Sequence, residues 1–171
     1  MPKLLDEIEG CIPDLRRYAR SLLLDFSLAD DLVQDTLERA LLKRHLWTRR
    51  GKIKPWLFTI MLNIFRNDIR TRKRHSQLVE NDLLQTIDKY AAPQEGKVEF
   101  IDTMRAIERL SKDQRDALLL VVSGGLSYQD AADTLKVPIG TFMSRLGRAR
   151  KVLRTITMTQ DHKNPTLRIV K

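Results

Sequence analysis

The chain has 171 residues, with 31 Lys and Arg against 22 Asp and Glu, which gives a formal net charge of +9. This length allows one ordinary domain or two small ones, and the charge favours a polyanionic partner, either nucleic acid or an anionic membrane. A single cysteine, Cys11, excludes an intramolecular disulfide. Because no apolar run reaches the ~18–20 residues that span a bilayer and no signal-peptide segment is evident, we expect a soluble cytoplasmic protein.

Apolar residues recur with helical spacing in the first half of the chain, where strand signals are nearly absent. Pro13 is expected in the first turn of the first helix, Ser27 as the N-cap of the second and Pro55 at the start of the third. The three apolar faces are Leu15, Tyr18, Ala19, Leu22 and Leu23, then Ala29, Leu32, Val33, Thr36, Leu37 and Ala40, then Leu57, Ile60, Met61, Ile64, Phe65 and Ile69. They predict a compact helical domain over residues 1–75.

The second half begins with a polar, acidic stretch over residues 76–97, which we interpret as a flexible linker with one helical turn near Asp82–Ile87. A second helical domain is predicted over 98–158. Ser111 and Gln114 predict a capping box, and the Gly124–Gly125 pair predicts a helix end with positive φ. Residues 159–171 are expected to be a frayed tail. The predicted fold class is therefore all-α, with two small helical domains joined by a flexible linker.

The segment from Ser127 to Arg154 predicts a helix-turn-helix. Ser127, with Asp130 three residues later, resembles a capping box, the segment 137–140 breaks the first helix, and Thr141 is expected to cap the second. On the second helix, the residues expected to face the core are Phe142, Leu146, Ala149 and Leu153.

The opposite face of this second helix is cationic, because no acidic residue occurs between Asp133 and Asp161. A helix with small residues at its outward tip can lie close to base edges, and Arg148 can bind guanine in bidentate geometry. The candidate duplex-DNA contacts are Thr141, Met143, Ser144, Arg145, Gly147, Arg148 and Lys151. The alternative is an amphipathic helix with solvated charges, but the capped helix and turn before it favour DNA binding.

Two polar faces stand out in the N-terminal half. The first is an acidic stripe opposite the apolar face of its helix, formed by Asp31, Gln34, Asp35 and Glu38. Such a stripe is often only a solvated surface. Its functional interpretation is a docking surface for a basic protein, since it would repel DNA, and as a metal site it is weakly supported without converging ligands.

The second polar face combines Thr59 with a set of candidate nucleic-acid contacts, namely Asn63, Arg66, Arg70 and Lys73. The amide of Asn63 both donates and accepts, so it could read a base edge while the cations follow phosphates. Aromatic rings among cations suit stacking on unpaired bases. We favour a core position for Trp56 and keep Trp47, in a cation-rich turn, as a candidate contact.

The sequence indicates no enzyme. The three His residues lack metal-ligand spacing, no nucleophile–base arrangement is apparent, and the glycine pair has no nucleotide-binding spacing around it. We expect no cofactor and no metal.

Three segments in this order resemble bacterial extracytoplasmic-function (ECF) sigma factors, the promoter-specificity subunits of RNA polymerase. They are Asp30–Ala40 (DDLVQDTLERA), Lys54–Asn63 (KPWLFTIMLN) and Val137–Arg150 (VPIGTFMSRLGRAR). The opening segment Ile12–Leu22 resembles in addition the alphaproteobacterial general-stress type.

The resemblance implies a role for each face. The acidic stripe would dock on the β′ coiled coil of core polymerase, Asn63 and the turn at Trp47 would trap a base of the melted −10 element, and the helix-turn-helix would bind the −35 element. The two domains would then sit about two helical turns of DNA apart. Contact with the β flap, and control by an anti-sigma protein in a stress response, are also implied.

Two other functions stay open from the residues. A stand-alone helix-turn-helix regulator would bind duplex operators without polymerase and would not need the acidic stripe. A sigma-like decoy would sequester an anti-sigma protein and would support no transcription.

Overall fold

The computed structural model describes residues 2–23, 25–47, 51–75 and 106–161. Within these ranges all the regular secondary structure is helical, and no strand occurs. The α-helices are α1 (Pro2–Leu23), α2 (Phe26–Leu42), α3 (Ile53–His75), α4 (Lys112–Val122), α5 (Tyr128–Leu135) and α6 (Ile139–Asp161), with a short 3-10 helix at Arg44–Leu46. The all-α prediction is confirmed. The predicted linker 76–97, residues 98–105 and the tail beyond residue 161 lie outside the described residues.

The N-terminal helices, α1–α3, pack around a core built from the predicted apolar faces. Leu15, Tyr18 and Leu57 are fully buried. Cys11 is a buried free thiol, and desolvation by this burial raises its pKa. A protonated buried thiol acts as a small apolar group, as expected from the sequence.

Two predicted helix starts in this half are wrong. Pro13 lies inside α1, which begins at Pro2, because Ile8 and Cys11 extend the buried face toward the N-terminus. The N-cap of α2 is Asp25 and not Ser27: the Asp25 carboxylate accepts a hydrogen bond from the Leu28 backbone N–H at 3.0 Å. Asp and Ser are equally good caps, so the sequence alone did not separate them.

The C-terminal helices, α4–α6, begin and end largely at the predicted signals. Ser111 and Gln114 form the capping box of α4, and Gly125 has a φ of +60° just after α4 ends. Ser127 caps α5 by accepting from the Asp130 N–H at 3.1 Å. Thr141, however, lies within the first turn of α6, which starts at Ile139, so its predicted capping role is wrong.

The two groups of helices pack against each other along α3. Helix α3 contacts α5, and α1 contacts α4. Phe58 and Leu62 lie outside the predicted apolar face of α3, yet both are almost completely buried. Helix α3 therefore has two buried sides, one against α1 and α2 and one against the C-terminal helices.

Candidate nucleic-acid and polymerase interface

Helix α6 has a polar side that faces solvent and an apolar side that is buried. Phe142, Leu146 and Ala149 are buried, as the spacing predicts. On the outward side the exposed residues are Thr141, Met143, Ser144, Gly147, Arg148 and Lys151. A Cβ added at Gly147 would meet no atom within 4 Å, so folding does not require glycine there. A flat, open surface beside Arg148 is what close approach to DNA needs.

The turn before α6 depends on Lys136, which has φ 57° and ψ 44° in the left-handed region. Its N–H bonds to the carbonyls of Ala132 and Asp133 and so ends α5. Because Gly or Asn usually occupies such a position, the lysine gave no turn signal in the sequence. The turn seats α6 against α4 and α5 and leaves its polar face outward.

Arg145 differs from the other predicted −35 contacts. Its guanidinium forms an ion pair with Asp113 of α4 at 2.7 Å, and only 27% of its side chain is exposed. The pair borders an open polar groove of about 550 Å³ that Gly140, Thr141 and Arg148 also line. Arg145 is thus held toward α4, away from the outward tip.

The polar side of α3 is only partly free. Asn63 and Arg70 are exposed, whereas Arg66 donates a hydrogen bond to Asp116 of α4 at 3.0 Å. Lys73 lies in α3, but its side chain is outside the described residues. The sequence gave no sign of Asp116 as a partner, since the two residues are far apart in the chain.

Trp47 and Trp56 are both partly buried and pack against the core. The core position expected for Trp56 therefore fits the structure. The indole Nε1 of Trp47 is buried, and no hydrogen-bond partner for it occurs among the described residues. Residues 48–50, which follow Trp47, lie outside them.

The acidic stripe lies on the solvent side of α2. Asp31, Gln34, Asp35 and Glu38 are all exposed, opposite the buried residues Ala29, Leu32, Val33, Thr36 and Ala40. No ion pair among the described residues engages the stripe. The carboxylates are therefore available to a partner.

Metal and membrane sites receive no support from the described helices. No group of three or more His, Cys, Asp or Glu in these residues could hold a metal ion. None of the described helices is long and apolar enough to cross a membrane.

Comparisons with known proteins agree with this geometry. Residues 8–62 match the family model described as the Sigma2 domain of PhyR, and residues 101–153 match Sigma-70, region 4. The chain is 40% identical to the ECF RNA polymerase sigma factor EcfG of Rhodopseudomonas palustris, over 88% of this chain and 82% of that protein. It is 38% identical to the ECF sigma factor SigC of Mycobacterium tuberculosis, over 85% of this chain and 78% of SigC.

A solved structure is also similar over nearly the whole chain. It is the sigma factor RpoE of Bartonella quintana in complex with the anti-sigma factor NepR, with a TM-score of 0.76 and 34% identity over 92% of this chain and 98% of RpoE. The sequence relatives establish the family and the solved structure agrees with the fold: this chain belongs to the ECF sigma factors of RNA polymerase.

Proposed function

We propose that the outward face of α6 binds the −35 element as duplex DNA. The observation that carries this proposal is the exposed cationic surface with Ser144 and Gly147 at its tip, seated on buried Phe142 and Leu146. Arg148 would bind a guanine edge, and Lys151 would bind phosphate. Arg145 would act mainly by fixing α6 to α4 through Asp113.

The polar side of α3 would bind the melted −10 element. Asn63 is exposed and can donate and accept toward a flipped base. Arg66, Arg70 and Lys73 would follow the phosphates, and Trp47 would border the base pocket. The two functional domains would be 1–75, which contains α1–α3, and 98–158, which contains α4, α5 and α6 up to residue 158.

The acidic stripe on α2 would bind the basic surface of the polymerase β′ coiled coil. Its exposure and the absence of ion pairs to it within the described helices support this role. The chain itself would catalyse nothing: it would act in the cytoplasm beside the polymerase, which carries the chemistry.

An anti-sigma protein would control this factor, in a stress response. RpoE, which resembles this chain over 92% of its length, was solved with the anti-sigma factor NepR. The regulon and the inducing signal would differ between such relatives, but the mode of control would be shared.

A sigma-like decoy is the second candidate, because the N-terminal residues 8–62 match a model named for PhyR. A decoy needs no DNA-binding helix. The exposed cationic face of α6 and the 40% identity to EcfG favour the sigma factor.

Run-off transcription with core polymerase over a promoter library tests the proposal. A sigma factor yields promoter-specific transcripts that depend on added chain, whereas a decoy yields none. A stand-alone regulator would instead shift duplex promoter DNA equally well with and without core polymerase.

A further inference from the structure

The first turns of α6 carry two exposed apolar side chains on one side of the helix. Ile139 is 42% exposed and Met143 is 45% exposed. They lie four residues apart, so their side chains are neighbours on the helix surface. The other large apolar side chains of α6 that the structure describes are buried or half-buried. Exposed apolar surface on the described part of this helix is therefore confined to its N-terminal end.

Met143 has no polar side chain next to it on α6. Its neighbours on the helix surface lie three and four residues away in each direction, and they are Ile139, Gly140, Leu146 and Gly147. Leu146 is buried, and the two glycines have no side chain. The exposed thioether of Met143 is thus an isolated apolar group on a face that is otherwise polar and cationic.

Neither of these glycines is required by the fold. A Cβ added at Gly140 or at Gly147 would meet no atom within 4 Å. Positive φ, which would favour glycine, occurs among the described glycines only at Gly125. Because glycine is less favourable than alanine inside a helix, both positions lower helix stability and leave open space on either side of Met143. A large, smooth surface such as a DNA groove can therefore approach the Met143 side chain closely.

The cations of α6 indicate what approaches this apolar group. Arg148 and Lys151 are exposed further along the helix, and they favour a polyanion over an apolar protein surface. Met143 and Arg148 are five residues apart, or about 7.5 Å along the helix axis, whereas base pairs stack about 3.4 Å apart. A duplex that places a guanine against Arg148 therefore places a different base pair against Met143.

We propose that Met143 contacts the C5-methyl group of one thymine in the −35 element and so selects a T·A pair at that position. This inference rests on the proposed binding of α6 to −35 duplex DNA. The thymine methyl is the apolar group that base edges present in the major groove, and it distinguishes T·A from C·G. The discrimination would come from burial of apolar surface and not from a hydrogen bond.

Deoxyuridine substitution tests the contact, because deoxyuridine lacks only the C5-methyl group and keeps the hydrogen bonds of thymine. The probe is a promoter duplex that the full chain and core polymerase transcribe. Each thymine of its −35 element, on either strand, is replaced in turn, and the affinity of the polymerase complex is measured by fluorescence anisotropy. Loss of one buried methyl should weaken binding about fourfold at one of these thymines.

Two variants of Met143 assign the methyl contact to this side chain. Met143→Gln keeps the length and makes the tip polar, and Met143→Leu keeps an apolar tip; the helix propensities of all three residues are similar. Met143→Gln should bind the thymine and deoxyuridine duplexes equally well at the methyl-sensitive position. Met143→Leu should still prefer thymine there.

A phosphate contact on the same helix provides the control. Lys151→Gln should weaken binding to every duplex of the series by the same factor and should leave the preference for thymine intact, because phosphates carry no sequence information. Loss of the thymine preference in Lys151→Gln would show that the preference depends on the general seating of α6 and would overturn the assignment to Met143.

Three further outcomes would overturn the proposal. They are a −35 element in which no deoxyuridine weakens binding, a methyl preference that Met143→Gln retains, and weaker assembly with core polymerase in Met143→Gln, which would place Met143 at a protein contact. The proposed function is scored separately with Arg148→Ala. If that variant binds the −35 duplex as the unaltered chain does, the proposed function fails; if it binds more weakly while Met143→Gln keeps the methyl preference, only the methyl contact fails.

Discussion

Arg66 on α3 donates a hydrogen bond to Asp116 on α4 at 3.0 Å, and this contact joins α3, which we propose binds the −10 element, to the C-terminal helices. Asp116 is nearly buried, with 9% of its side chain exposed, whereas 34% of the Arg66 side chain is exposed. The carboxylate therefore depends on Arg66 for charge compensation, and Arg66 also has access to water.

Replacing Arg66 should destabilise the chain through the carboxylate that it leaves behind. We expect Arg66→Met to lower the free energy of unfolding by about 1–2 kcal/mol at pH 7, less than for a fully buried pair because Arg66 is partly solvated. Urea denaturation measures the change, and Arg70→Met, at an exposed site of the same helix, is the control. Adding Asp116→Asn to Arg66→Met should restore part of the loss; if it does not, the pair contributes little to stability.

Arg148→Ala should weaken binding to −35 duplex DNA by ~1–3 kcal/mol, because it removes one side chain from the exposed face of α6. Fluorescence anisotropy of the polymerase complex on promoter duplex measures this loss. Arg109→Ala, at an exposed site outside α6, should have little effect. Loss of core-polymerase binding in Arg148→Ala would show instead that α6 has a structural role.

Charge reversal on the acidic stripe should weaken binding to core polymerase and not binding to the −35 duplex. Asp35→Lys is expected to lower the affinity for core polymerase at least tenfold, about 1.4 kcal/mol, because a cation then faces the basic surface proposed for β′. Pull-down with core enzyme measures it, and Asp6→Lys on α1 is a control at another exposed acid. Equal losses in the two variants would show that net charge matters and the stripe does not.

Acid should destabilise the chain through Asp130 and Asp14. Burial would raise the pKa of Asp130, but hydrogen bonds from Lys52 and Ser127 outweigh it and hold the pKa below its ordinary value. For Asp14, burial is likewise outweighed by Lys54 and Arg17, so its pKa is also lowered. Near pH 3.8, the ordinary pKa of an aspartate, the unfolded chain therefore binds more protons than the folded chain. The stability that these two carboxylates contribute is present above that pH and is lost as the pH falls through their folded pKa values.

Thermal unfolding between pH 7 and pH 3 measures this acid dependence. Asp130→Asn should reduce the slope below about pH 4, and Asp133→Asn should leave it unchanged. An undiminished slope in Asp130→Asn would mean that the Lys52 pair contributes nothing to folding.

The helices and their buried faces followed largely from the sequence, apart from the start of α1 and the caps of α2 and α6. The contacts between the two halves did not. The buried face Phe142, Leu146 and Ala149 was predictable because apolar spacing along one helix records which side is covered. The left-handed turn at Lys136 was not, because that residue type carries no turn signal. The Arg66–Asp116 pair was hidden for a different reason: helical periodicity says nothing about which side chains of distant helices meet.

The burial of Phe58 against the C-terminal helices could not be predicted from helical periodicity either. The stripe Leu57, Ile60, Met61 and Ile64 already accounts for one buried face of α3, so the spacing assigned no buried position to Phe58. Only the packing of the C-terminal helices shows that α3 is covered on two sides. A helix with more apolar surface than one stripe requires is a sequence signal for a second contact.

The Tyr18 hydroxyl is buried and has no hydrogen-bond partner among the described residues. Burial raises the pKa of Tyr18 well above its ordinary value, Asp116 raises it further, and Arg66 opposes them. Above about pH 10 the unfolded tyrosine loses its proton while the folded one retains it, so stability should fall as the pH rises.

Tyr18→Phe should reduce this alkaline slope; a part should remain because burial also raises the pKa of the Cys11 thiol. At pH 7 it should leave stability unchanged or raise it by about 1 kcal/mol, because it removes a buried, unpaired hydroxyl. Urea denaturation at pH 7 and above pH 10 measures both effects. Tyr128→Phe is the matched control, since the Tyr128 hydroxyl accepts a hydrogen bond from Arg150 at 2.9 Å and its loss should leave the alkaline slope intact. A loss of stability at pH 7 in Tyr18→Phe would show that the hydroxyl is hydrogen-bonded in solution. If both variants keep the same alkaline slope, groups other than Tyr18 cause the fall in stability at high pH.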